Sequence, residues 1–175
     1  MKTIVALFIV GIIGLSFSQK SFSQDKKSRK EKQKQEFAET LKLIEGNNYM
    51  FIPERALPLG GGSFDLSSHF GFLKITDNNA DSDMPFFGRA FQSSYGNTEG
   101  GMKFKGEMLE KKIEVNERKN SIEVIFKVSD KDFYKVRISI FSGGSATVGI
   151  TSNNRSFISY YGRISAIPEE EEEDE

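Results

Sequence analysis

The chain has no cysteine and only one histidine in 175 residues. Without cysteine there is no disulfide and no thiolate-bound zinc or iron–sulfur centre. There is equally no cysteine nucleophile and no lipid-carrying cysteine behind a leader. With a single histidine, any catalytic triad or histidine metal cluster depends on His69, in the run Ser67-Ser68-His69-Phe70. A lone histidine of this kind is more simply a satisfied strand residue. Gly143-Gly144-Ser145-Ala146-Thr147 lacks the last glycine of a nucleophile elbow. Gly60-Gly61-Gly62 lacks the Lys-Ser/Thr that completes a phosphate loop. What the chain has instead is 16 Phe and many Val and Ile, enough for a packed apolar core in one domain.

No apolar run is long enough to anchor the chain in a bilayer. The longest, Ile4 to Leu15, has 12 residues, follows Lys2, and precedes the small-x-small triplet Ser16-Phe17-Ser18. This order predicts a signal peptide over residues 1–18, cleaved after Ser18, and hence a periplasmic or secreted protein with no integral membrane segment after processing. Charge of one sign is absent from the middle of the chain and concentrated at its ends. Lys20 to Lys34 carries seven basic and two acidic residues, whereas Glu169 to Glu175 is entirely acidic. The expected division is a basic linker and helix start over 19–34, one β-rich domain over 35–168 and a disordered acidic tail over 169–175. The domain itself is balanced, with 16 residues of each sign between Gln35 and Pro168, so no nucleic-acid partner is expected.

Periodicity separates one helix from many strands. Ser28-Arg29-Lys30-Glu31 has the form of a capping box, Phe37, Leu41 and Ile44 follow at helical spacing, and Gly46 offers a left-handed stop. From Tyr49 the period becomes two. Ile122, Val124, Phe126 and Val128 share one face, as do Tyr134, Val136, Ile138 and Ile140. Further strands are expected at Tyr49–Ile52, Phe70–Thr76, Phe86–Gln92, Met102–Lys105, Ile113–Asn116, Ala146–Thr151 and Phe157–Ile164. Pro53, Pro58 and Gly60-Gly61-Gly62 read as a long loop. Short polar turns such as Arg118-Lys119-Asn120 and Ser152-Asn153-Asn154 favour sequential hairpins. The expected fold class is mainly β: an antiparallel, strongly curved or two-layered sheet with one N-terminal helix packed against it.

Two near-identical phrases stand out, FFGRAF at Phe86–Phe91 and YYGRIS at Tyr160–Ser165. On a strand, Phe87, Arg89 and Phe91 would share a face, as would Tyr161 and Arg163. Arginine between aromatics can make cation–π contacts and offers a planar fork to an anion. These five residues are therefore the candidate binding residues. The competing reading pairs each arginine with an internal acid such as Asp65 or Asp83, and uses Gly88 and Gly162 for close packing. Asp77 to Asp83 spaces oxygen side chains like the start of a calcium loop. However, Ser82 stands where that loop needs glycine and Gly88 where it needs glutamate, so a polar turn is favoured. No metal, cofactor or catalytic residue is assigned.

The phrases and their order resemble a Bacteroidetes family, domain of unknown function 4251. The stretches that carry the likeness are Phe51-Ile52-Pro53 through Ala56-Leu57-Pro58, MPFFGRAF at Met84–Phe91 and NRSFISYYGRI at Asn154–Ile164. Together they span about Glu36 to Ile167. Mild departures are Met84, Phe86 and Phe91 at positions where the family has Leu, Tyr and Tyr, and an added Phe157. The resemblance implies a fold and an exported compartment but no activity and no catalytic residues. The leading expectation is a non-enzymatic module that binds a protein, glycan or apolar ligand in an aromatic-lined concavity containing Phe86, Phe87, Phe91, Tyr95, Tyr160 and Tyr161. The alternatives are a carboxylate-based hydrolase of envelope or dietary polymers and a structural or inhibitory partner of another exported protein.

Overall fold

A computed structural model describes residues 21–69, 71–91 and 101–168. The expected leader, Phe70, Gln92, Tyr95 and the acidic tail lie outside the described residues. The chain divides into two units between Gln35 and Glu36. Helix α1, Ser21–Glu45, runs through that division. It begins before Ser28, because Gln, Asp and Lys precede that serine with no Gly or Pro to stop helix growth, so the capping-box pattern falls inside the helix. From residue 36 onward its inner side carries Phe37, Thr40 and Ile44, all buried, with Leu41 half-buried. The Thr40 hydroxyl donates to the Glu36 carbonyl at 2.8 Å. The left-handed residue at the helix end is Asn47, with φ 51°, and not Gly46, whose amide still bonds the Lys42 carbonyl at 3.1 Å. Asparagine tolerates this conformation well enough to close the helix one residue later.

Among the described residues ten strands follow: β1 Asn48–Pro58, β2 Phe64–Asp65, β3 Phe72–Thr76, β4 Asn79–Pro85, β5 Gly101–Glu107, β6 Leu109–Asn116, β7 Ser121–Ser129, β8 Phe133–Phe141, β9 Ser145–Ser152 and β10 Ile158–Ala166. All pairings are antiparallel, in the order β5-β4-β3-β1-β10-β9-β8-β7-β6, with the short β2 beside β1. The sheet is therefore antiparallel and so strongly curved that it nearly closes into a barrel, with residues 36–45 of α1 beside it.

Consecutive strands β5 and β6 form the two ends of the strand order, separated only by Met108. One bent stretch of chain thus supplies both edges. Its first half pairs with β4 and its second with β7. Side chains bridge the seam where β5 passes β8. The Tyr134 hydroxyl donates to the Lys103 carbonyl at 3.2 Å, and the Phe104 and Tyr134 rings lie 4.7 Å apart.

Alternation supplies the core. Ile122, Val124, Phe126 and Val128 of β7 and Tyr134, Val136, Ile138 and Ile140 of β8 all face inward and are buried, as their spacing predicts. Each such side chain adds about 1.5–3 kcal/mol on removal from water. Besides the short β2, which the sequence reading did not include, β1 and β4 depart from it. β1 runs on through Pro53 to Pro58, because a register shift between Pro53 and Arg55 absorbs the missing N–H of Pro53. The polar stretch Asn79–Pro85 is a strand, with Ala80, Ser82 and Met84 inward. Only Asp77 and Asn78 make the turn, Asp77 with φ 54°.

Candidate interaction surface

The first phrase is not a strand. After Pro85 the chain leaves β4 and lies along the loop between β9 and β10. The Phe91 amide donates to the Asn154 carbonyl at 2.7 Å, and the Ser156 amide donates to the Arg89 carbonyl at 2.9 Å. The Ser156 hydroxyl oxygen accepts the Arg89 amide at 3.1 Å, and Ala90 forms an isolated bridge with Arg155. A Cβ on Gly88 would lie 2.5 Å from both the Phe86 ring and the Ser156 oxygen, so glycine is what lets the two loops meet. Phe87, Arg89 and Phe91 consequently do not share a strand face. The backbone groups that would build a ladder are taken by residues 154–156. Phe87 is half-buried and stacks on Phe64, with centroids 4.3 Å apart and planes 5° apart. Arg89 and Phe91 are exposed, and Arg89 has no acid partner among the described residues.

The second phrase is strand throughout. Tyr160 faces inward, fully buried, and its hydroxyl donates to the Pro85 carbonyl at 2.7 Å. This bond carries the second phrase to the foot of the first. Gly162 also faces inward, where a Cβ would fall on the Ile52 carbonyl of β1. Tyr161 and Arg163 share the outward face, as their spacing predicts. Arg163 Nε donates to Glu54 Oε1 at 3.1 Å across the strands, an exposed pair of small energetic weight.

The acids proposed as internal partners are engaged elsewhere. Asp65 accepts the Ser67 amide at 2.9 Å, and hydrogen bonds from Ser67 hold its carboxyl below the usual carboxylate range. Asp83 pairs with Lys103 at 3.2 Å, and its neighbour Asp81 with Lys105 at 3.0 Å. Among the described residues no group of three or more acidic, histidine or cysteine side chains gathers to hold a metal. His69 is exposed, its ring Nδ1 3.4 Å from the Ser68 hydroxyl.

The residue that ties the phrases together is Arg155, which the spacing argument did not single out. Its guanidinium lies 5.3 Å from the centre of the Phe86 ring and donates to the Gly101 carbonyl at the start of β5. Next to it, one Asp132 oxygen accepts the Ser152 hydroxyl and the Asn154 amide, while the other accepts the Phe133 amide at 2.7 Å. The signal for Arg155 was the Asn-Arg pair that opens the third motif, and nothing in its spacing points to Phe86.

Of the rings expected to line a concavity, Tyr160 is in the core, Phe86 and Phe87 pack against it, and Phe91 and Tyr161 are exposed. A cleft of about 260 Å³ lined by Glu36, Glu39, Thr40, Leu43 and Ile164 contains no ring of either phrase. The outer surface mixes ion pairs with exposed apolar side chains, among them Leu109, Phe133 and Phe141. Cross-strand ion pairs cover β4–β5 and β6–β8, including Asp83–Lys103 and Glu123–Arg137. The convex wall of β1 and β10 likewise exposes Ile52, Leu57 and Tyr161, the last at 43%. Beyond it, Leu59 joins Phe157 through an amide–carbonyl bond of 3.4 Å, and the Phe157 ring covers Gly149. The Phe64–Phe87 stack adds two more rings.

A family model described as domain of unknown function (DUF4251) matches residues 31–164. The crystal structure of a DUF4251 family protein from Bacteroides eggerthii has the same fold at 15% identity. The match covers 75% of this chain and 87% of that one, with a TM-score of 0.58. No curated protein matches.

Proposed function

The chain belongs to the DUF4251 family, and from that premise we propose that it is an exported, non-enzymatic interaction module that holds a partner protein against the convex wall of β1 and β10. The observation that carries this reading is the apolar area that Ile52, Leu57 and Tyr161 leave in water on one convex wall, beside the Arg163–Glu54 pair. A convex surface cannot surround a small ligand as a pocket does, and this favours a protein over a glycan or apolar molecule. Export is supported by the charged, apolar and small-residue order of the first 18 residues.

The test is a photo-crosslinking residue placed at Tyr161 and, as control, at Lys135 on the outer face of β8, in cells that produce the protein. The expected outcome is an adduct of defined mass from Tyr161 and none from Lys135, on a mature chain that begins at Gln19. No adduct from Tyr161, or equal adducts from both positions, would overturn the reading. A chain that retains Met1–Ser18 would overturn its export.

A further inference from the structure

Among the described residues the nearly closed sheet ends on two strands, β5 and β6, each paired on one side only. β6 pairs with β7 alone, and at Met108, whose amide donates to the Asn78 carbonyl at 2.7 Å, the opposite neighbour ends. Open edges are usually blunted by bulges, prolines or inward charges. The first half of β6 has such devices: its register shifts between Leu109 and Lys112, Glu110 has φ 52°, and Lys111 donates to the Asn47 side chain. The second half, Lys112 to Asn116, has no proline and no bulge and is exposed along its length. Ile113 and Val115 remain 37% and 45% exposed, although the residues they face on β7, Val124 and Ile122, are 0% and 1% exposed.

We propose that this edge pairs with the same edge of a second copy of the chain, antiparallel about a two-fold axis at Ile113, joining two barrels into one sheet. Residues opposite each other in an antiparallel pair lie on the same face, so only registers two residues of pairing apart keep Ile113 and Val115 together. Centred on Lys112, the pairing sets Lys112 against itself and Glu114 against Glu110. Centred on Glu114, it sets two Glu114 carboxylates together. Centred on Ile113, it sets Lys112 of each copy opposite Glu114 of the other, Ile113 against Ile113, and Lys111 against Val115. Opposite charges facing across strands stabilise a pair, and like charges weaken it. Within one chain Lys112 already reaches Glu114 at 2.5 Å, and Arg137 already pairs with Glu123, the residue that Glu114 faces on β7. The self-complementary pattern is what selects a second copy over an unrelated strand. This inference uses a different edge and stands apart from the convex wall.

Sedimentation of the mature chain over a range of concentrations tests it. The expected result is a monomer–dimer equilibrium that Lys112→Glu weakens about tenfold, by turning both attractive pairs into repulsive ones, and that Lys112→Glu with Glu114→Lys restores. Because the chain has no cysteine, Ile113→Cys gives an independent readout. It should form a disulfide dimer under mild oxidation, and Asn116→Cys should not. A monomer at every concentration overturns the proposal. So does a dimer indifferent to Lys112→Glu, or equal cross-linking from both cysteine variants.

Discussion

Gly162 lies where β10 passes closest to β1, beside the register shift after Pro53, and the space a methyl group would need is already filled by the Ile52 carbonyl. Backbone cannot move aside as a side chain can. Gly162→Ala should therefore cost about 2–3 kcal/mol, read as a lower denaturant midpoint. Gly88→Ala should cost less, because its collisions are with the Phe86 ring and the Ser156 hydroxyl, which can turn. The two buried tyrosines make a second contrast. The Tyr160 hydroxyl has the Pro85 carbonyl, whereas the Tyr49 hydroxyl has no hydrogen-bond partner among the described residues. Tyr160→Phe should cost roughly 1 kcal/mol and Tyr49→Phe should leave stability unchanged or raised. Burial pushes both phenols well above their ordinary value of 10.0. The folded chain keeps these protons at pH values where the unfolded chain releases them. Stability should be intact below that ordinary value and fall as pH rises past it, and either Phe variant should flatten the alkaline limb.

At the scale of elements, the meeting of the two phrases depends on Arg155, which reaches from the β9–β10 loop to Phe86 and to the start of β5. Arg155→Ala should loosen the segment 86–91 and speed hydrogen exchange at the Phe91 and Ser156 amides, with little change at β8. Arg155→Lys should not restore protection, because a point charge cannot both lie over a ring and reach the carbonyl as a planar fork can. Unchanged exchange at both amides would show that the backbone bonds alone hold the loops. The limits of sequence reading follow from the same place. β7, β8 and β9 were legible nearly to the residue because clean alternation meets one dry and one wet face. Phe86–Phe91 alternates less strictly, and its backbone bonds go to a loop some 65 residues away, a partner no local pattern can specify. The second half of β1, beyond Ile52, was hidden by Pro53 and Pro58, since a bulge that rescues a proline leaves no local mark. β4 was hidden by its aspartates, which are outward residues paired with Lys103 and Lys105. Of the candidate residues, Tyr161 and Arg163 do share an outer face; Phe87, Arg89 and Phe91 do not.

At the scale of the whole molecule, burial is distributed unequally along the chain, and this makes the two units separable by experiment. Residues 28–35 of α1 are exposed on every side, and the region around them, Lys20 to Lys34, holds seven of the chain's 24 basic residues. An all-polar helix without packing contributes nothing to the core, and mutual repulsion of its lysines favours fraying. From Glu36 the same helix delivers Phe37 and Ile44 into the barrel's core cluster, at 7% and 0% exposure. A mature chain shortened to begin at Glu36 should keep the full chain's denaturant midpoint. One shortened to begin at Gly46 loses both side chains and the buried Thr40, and should lose roughly 5 kcal/mol or more, enough to unfold a domain of ordinary stability. Chemical denaturation of the three proteins side by side distinguishes the cases. Equal loss from both truncations would mean that the exposed half of the helix supports the barrel. Equal retention would mean that the sheet closes its core without the helix.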